Sequence, residues 1–434
     1  MIFDRYYASS LGKFRISLAT QSGEVVASQV SSEVQPLIHK PDRTEAETAL
    51  LRNEFLLNAP ELVASRKEID GLRRPQSFLT SLVLQERPPE NPRRTFIHNR
   101  GEWTQPTEPV EPAVLSILNP LPAGAPKNRL SFARWLVSRD NPLTARVVVN
   151  RAWATFFGRG IVKTLEDFGF QSSPPSHPQL LDWLAIHFMD DGWSFKKLHR
   201  LIVTSQTYKQ SSASTSAGEE KDPENILLWR GPRLRLDAEE VRDSALRSAG
   251  ILSNKMLGPS VYPPQPASVT TEGAFGALAW TTSTGEDRYR RSLYTFAKRT
   301  APFAFANTFD APTGEACIVR RDKSNTPLQA LTLLNDVTII EAAQTLGKHL
   351  VETPGTPEQR ASEAFVRCFS RPPAADELAA IMDFYQKQQQ RFTAAPESAK
   401  ALAGNGPAES TIPRAAWTAV ARALMNMDEF VTKS

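Results

Sequence analysis

Cysteine is almost missing from this chain, and with it the chemistry that clustered thiols support. Cys317 and Cys368 are the only two in 434 residues. That leaves no disulfide framework, no CxxC pair for a redox or zinc site, and no CxxCH motif for covalently held haem, so the chain is expected to carry no cofactor. Cys368 falls with Phe365 and Phe369 on one predicted helix face. It reads either as a buried apolar thiol or, in an exported chain, as half of a Cys317–Cys368 bridge. Histidine is also scarce, and the six at 39, 98, 177, 187, 199 and 349 never fall at HxxxH or HExxH spacing. No single helix therefore presents two histidines to one metal. No apolar run approaches the ~18 residues of a membrane span. Charge of one sign is lacking too: 51 Lys and Arg stand against 47 Asp and Glu. The basic residues are interspersed with acidic ones, which argues against the basic stripe of a nucleic-acid binder. No GxSxG elbow offers a serine nucleophile.

What is present is enough apolar residue, 41% of the chain, to bury a sizeable core spread over two or three domains. Near the start, Phe14, Ile16 and Leu18 alternate with Arg15, Ser17 and Ala19 as on a half-buried strand, although little nearby sequence offers a pairing partner. With no basic n-region and apolar h-region in front of it, this start is expected to be a truncation. Residues 1–40 are then the remnant of an upstream β-rich domain. Residues 41–128 read as a charged amphipathic helix from Arg43 to about Arg74, broken at Pro60, followed by a strand pair over 77–86 and 95–103. A linker follows, rich in Pro106, Pro109, Pro112, Pro120, Pro122 and Pro126. Residues 129–434 read as a helical domain, so the fold class is mainly α: a multi-helix globular body with a small β-containing N-terminal region.

Helix starts in the last domain carry their own signals. Ser176 with Gln179, and Asp237 with Glu240, have capping-box spacing, and Ser194 caps a further amphipathic run. Thr326 before Pro327 opens a long helix whose apolar positions continue through Ile339, Ala342, Ala343, Leu346 and Leu350. Further helices are expected at 356–369, 374–392 and 412–427, with a flexible Ala/Gly/Pro-rich loop over 394–411. A long Gly/Pro/Ser/Thr-rich loop spans 255–288. Phe157-Gly158-Arg159-Gly160 lacks the strand-to-helix setting of a phosphate loop and reads as a helix stop.

The candidate site residues are polar groups set in apolar surroundings. On the helix at 143–157, Arg146, Asn150 and Trp153 share a face, with Arg151 beside them, among valines and phenylalanines. A buried guanidinium needs a partner, and Asp167, Asp310 and Glu315 are the candidates. The group reads either as an arginine network tying loops to the core or as an anion- or sugar-binding pocket. Arg320 and Arg321, ahead of the capped helix at 327, read either as an anion site at a helix N-terminus or as a solvated basic turn. His177, beside Pro175 and Pro178, is the histidine singled out as a site candidate; its alternative role is capping or packing. The adjacent acid pairs Glu166/Asp167 and Asp190/Asp191 diverge on a helix and cannot flank one glycosidic bond.

The segment running NPLTARVVVNRAWATFFGRG from 141, with RLDAEEVRD at 235–243, GPSVYPP at 258–264, RRSLYTFAKR at 290–299, FDAPTGEACIVRR at 309–321, NTPLQALTLLN at 325–335 and ALMNMDEF at 423–430, closely resembles a C-terminal domain of unknown function from planctomycete surface proteins. That domain usually follows a planctomycete-type cytochrome c domain and a second uncharacterised domain. The resemblance spans roughly Arg94 to the end. It implies export to the periplasm or cell surface, a cytochrome c-type domain as a partner on the same or a neighbouring polypeptide, and a link to polysaccharide use; it supplies no reaction. Two readings follow. One is an accessory binding or scaffold module; the other is an enzyme on carbohydrate or another periplasmic substrate, which requires Arg146, Asn150, Asp167, His177, Asp310 and Arg321 to converge on one concavity.

Overall fold

A computed structural model describes residues 30–74, 81–88, 90–266, 280–299 and 301–433. The chain divides into two compact units, Met1–Pro92 and Arg93–Ser434. The expected strand at 11–20 lies outside the described residues.

In the first unit, helix α1 (Glu45–Asn58) begins at a reciprocal cap: the Glu47 N–H donates to Thr44 Oγ1 and the Thr44 N–H donates to the Glu47 carboxylate. It stops before Pro60, whose ring cannot continue the ladder, and α2 (Val63–Arg73) resumes after a 3-10 turn. The expected break at Pro60 is therefore present. Residues 81–88 form no strand.

The second unit opens with β1 (Thr95–His98) paired antiparallel to β2 (Pro106–Val110). The partner of 95–98 thus comes from the predicted linker, not from 77–86. A turn with Arg100 and Gly101 at positive φ makes the short closure possible. Helices α3 (Arg129–Leu136), α4 (Thr144–Phe157), α5 (Pro178–Asp190), α6 (Phe195–Thr204) and α7 (Ser216–Lys221) follow. Val149, Trp153 and Phe157 of α4 meet Leu181, Leu184 and Phe188 of α5 and Leu198 and Ile202 of α6 in one apolar cluster.

Strand β3 (Leu234–Arg235) then leads into α8 (Ala238–Ala249). Two 3-10 turns, Gly285–Tyr289 and Ser292–Tyr294, precede α9 (Ala304–Thr308), α10 (Pro327–Asn335), α11 (Val337–Glu352), α12 (Pro357–Phe369), α13 (Ala375–Ala394), α14 (Pro396–Ala403) and α15 (Thr411–Met425). Strand β4 (Thr432–Lys433) returns the chain to β3. The larger core centres on α15, with Trp417 fully buried and stacked on Tyr385 at 4.2 Å. Burying a side chain of that size contributes about 3 kcal/mol. Gly347 lets α11 and α15 touch, because a Cβ there would lie 2.6 Å from Thr418 Oγ1.

Several expectations need correction. The run from Pro327 is two helices, because the Asp336 carboxylate accepts the N–H groups of Thr338 and Ile339 and starts α11 afresh. Residues 394–411 include α14, since Pro396 at a first helical position favours a new start. Ser176 does not cap α5: His177 occupies that position, and the Ser176 hydroxyl donates instead to Ile161 O. The two cysteines are both free. Cys317 is exposed, while burial in the helical core pushes the Cys368 thiol up to about 12. That agrees with the apolar-thiol reading.

Candidate ligand-binding pocket

The end of α4 builds a pocket. Gly158 stops the helix in the left-handed region, φ 75°, and a Cβ there would lie 2.4 Å from Leu234 Cδ2. The chain then doubles back, and Asn150, fully buried at 0% exposure, holds it. Its Nδ2 donates to Val162 O at 3.0 Å and its Oδ1 accepts the Val162 N–H at 2.8 Å. One side-chain amide thereby satisfies both backbone groups of a buried residue. Next along, Ile161 O accepts the Ser176 N–H at 2.8 Å, and Ser176 Oγ lies 3.0 Å from His177 Nδ1. Asn150 fixes the loop, the loop fixes Ser176, and Ser176 orients His177.

The resulting cavity is about 270 Å³. Trp153 and Phe157, stacked at 4.2 Å, supply its aromatic part. Around them stand His177, Arg159, Arg230 and Arg233, with Glu224 as the one carboxylate in the lining. Arg159 Nη1 meets Glu224 Oε2 at 2.6 Å, Arg233 pairs with Asp428, and Arg230 Nη2 is 3.7 Å from Glu219. Arg230 Nε is enclosed without a hydrogen-bond partner among the described residues. The pocket therefore offers more guanidinium donors than carboxylate acceptors beside an apolar surface.

The structure distributes the sequence candidates over several places. His177 lines the pocket and Asn150 supports it. Arg146 was expected to be buried, yet its side chain is 36% exposed, paired with Asp182 at 2.7 Å and donating to Pro142 O at 2.6 Å. Its partner is none of the three acids expected, because α5 runs alongside and supplies Asp182. Arg151 is exposed. Asp167 closes a turn by accepting the Gly169 N–H at 2.6 Å. Asp310, at φ 61°, accepts from the Ser324 N–H and hydroxyl. Burial alone would raise the pKa of its carboxyl, but those bonds and one from Gln329 hold it below the usual range. Arg320 is exposed. Arg321 faces α8, donating through both terminal nitrogens to Glu239, instead of standing at the N-terminus of α10. The six side chains required by the enzyme reading do not meet in this one concavity.

Sequence reasoning missed Arg159, Glu224, Arg230 and Arg233. The run Arg230-Gly231-Pro232-Arg233-Leu234-Arg235 carried a signal, a cluster of arginines around a turn, that helix patterning passes over.

No curated protein and no solved structure matches this chain. The model of the family described as PSD1, a protein of unknown function (DUF1553), matches residues 128–385. That is more than half of the sequence and includes α4, α5 and all the polar residues of the pocket, so the chain belongs to this family of uncharacterised domains.

Proposed function

We propose that the chain is an accessory binding module of an exported system, periplasmic or at the cell surface, and that the pocket at the end of α4 takes an anionic saccharide of a polysaccharide. The carrying observation is the lining itself: Trp153 and Phe157 beside Arg159, Arg230, Arg233 and His177. Aromatic side chains suit the apolar edges of a sugar, and guanidiniums suit sulfate or uronate groups in bidentate geometry. Glycoside hydrolysis ordinarily uses two carboxyl groups roughly 5–9.5 Å apart. Glu224 is the single acid lining the pocket, and Arg159 already engages it. In this reading a cytochrome c-type domain is the neighbour in the assembly.

Calorimetric titration with sulfated, uronate-containing and neutral oligosaccharides tests the proposal. Binding of an anionic member, weakened about tenfold or more by Arg159→Ala, is the expected result; equal affinity for variant and parent would refute it. One observation favours an enzyme instead, the Ser176–His177 contact of 3.0 Å, which activates the hydroxyl once its proton turns from Ile161 O to His177 Nδ1. Turnover of any panel member that disappears in Ser176→Ala would establish that reading over the first.

A further inference from the structure

A second cavity, of about 230 Å³, lies where the segments 235–243, 290–299 and 309–321 meet. Its lining includes Arg242, only 1% exposed. The terminal nitrogens of Arg242 are spoken for: Nη1 donates to Arg290 O at 2.9 Å and Ser292 Oγ at 3.2 Å, and Nη2 to Arg288 O at 3.0 Å. Its Nε is enclosed without a partner, and so is Thr295 Oγ1 on the same wall. Both atoms are closed off from the cavity itself, so what Arg242 offers a molecule inside it is the positive charge behind the lining and not a direct hydrogen bond from Nε. Lys298 also lines the cavity, and among the described residues no hydrogen bond or ion pair engages its ammonium. Glu239, the one lining carboxylate, is neutralised from the side by both terminal nitrogens of Arg321. The rest of the lining is mostly apolar, with Phe296, Phe303 and Ala306 prominent and Asn307 and Thr313 as its polar members.

A lysine ammonium in a largely hydrocarbon lining selects a molecule that joins one negative charge to an apolar body. At about 30 Å³ per water-sized share, the cavity of about 230 Å³ holds the equivalent of roughly eight waters, room for a small monocarboxylate with one end at its mouth. We propose that this cavity binds a small aromatic or aliphatic monocarboxylate, its carboxylate toward Lys298 and its apolar body against Phe296 and Phe303. This site shares no lining residue with the pocket at the end of α4, and it stands or falls independently of the saccharide reading.

The test titrates the full chain with phenylacetate, phenylacetamide and acetate, followed by ligand-observed NMR and calorimetry. Phenylacetate should bind at least about tenfold more tightly than the uncharged amide and than acetate. Lys298→Met, on the rim, should erase most of the preference for acid over amide while leaving the melting temperature unchanged. Ala306→Leu, which narrows the cavity, should weaken acid and amide alike, and Arg159→Ala should change neither. Acid and amide binding equally, an unaltered preference in Lys298→Met, or no phenylacetate binding up to about 10 mM would overturn the proposal.

Discussion

The two apolar clusters of the larger unit treat arginine in opposite ways. Around α4, α5 and α6 the charged side chains stay at the surface and pair with acids there: Arg146 with Asp182, Arg139 with Asp190, Lys197 with Asp191. Around α8, α11 and α15 three arginines among the described residues are buried and donate to backbone carbonyls. Arg242 serves the segment 288–292, Arg290 donates to the carbonyls of Lys255, Leu257 and Pro259, and Arg414 to those of Gly404 and Pro407. Irregular chain has no ladder to satisfy its carbonyls, and a buried guanidinium with five donors does that work for it. Burial pulls Arg242 down to about 10, so it remains a cation at neutral pH, with Asp243 and Asp336 nearby to offset it. Arginine is thus a scaffold for loops in one region and a solvent-accessible group paired with acids in the other.

The largest effect that sharpens this contrast is expected from Arg242→Ala. Removing a buried guanidinium whose two terminal nitrogens are both engaged should cost about 3–5 kcal/mol in denaturant unfolding; a loss no greater than that of an exposed ion pair would erase the distinction. Asn150→Ala comes next, at about 2–3 kcal/mol, because both backbone groups of buried Val162 lose their partner. It should also loosen the 160–162 loop, read as faster amide exchange at Val162. The smallest effect concerns the surface network in which Arg371 bridges Glu377 and Glu429. The hydrogen bond from Arg371 and that from the Ala374 N–H pull Glu377 down to about 2 from 4.5. A depressed folded pKa means the pair stabilises fully above 4.5 and loses that contribution as pH falls toward 2. Melting curves of parent and Glu377→Gln should therefore differ most near neutrality and converge between those limits, with only a modest gap because the pair is solvent-screened.

Much of the helical framework was legible in the sequence, for local reasons. Thr326 ahead of Pro327, Ser194 ahead of its amphipathic run and Gly158 after α4 each act within one helical turn. The break at Asp336 was hidden because the apolar spacing on either side blends into one pattern, and an aspartate inside such a pattern reads as an exposed position until its backbone partners are known. The site was less legible. Arg146 sits among valines in sequence, but the space beside it belongs to α5, whose Asp182 is 36 residues away. Asn150 stood out correctly as a polar group on an apolar face, whereas its partner Val162 gives no signal at all. Arg159, Arg230 and Glu224 converge only through the fold, so no spacing rule could join them.

The central claim is that guanidiniums at the end of α4 serve a ligand while those beneath α8 serve the fold. Paired thermal melts and saccharide titrations of Arg159→Ala and Arg242→Ala examine both halves together. The account predicts that Arg159→Ala melts with the parent and loses affinity for the anionic oligosaccharide, whereas Arg242→Ala melts far lower. Arg159→Ala melting as low as Arg242→Ala, or keeping the parent's affinity at an unchanged melting temperature, would contradict it.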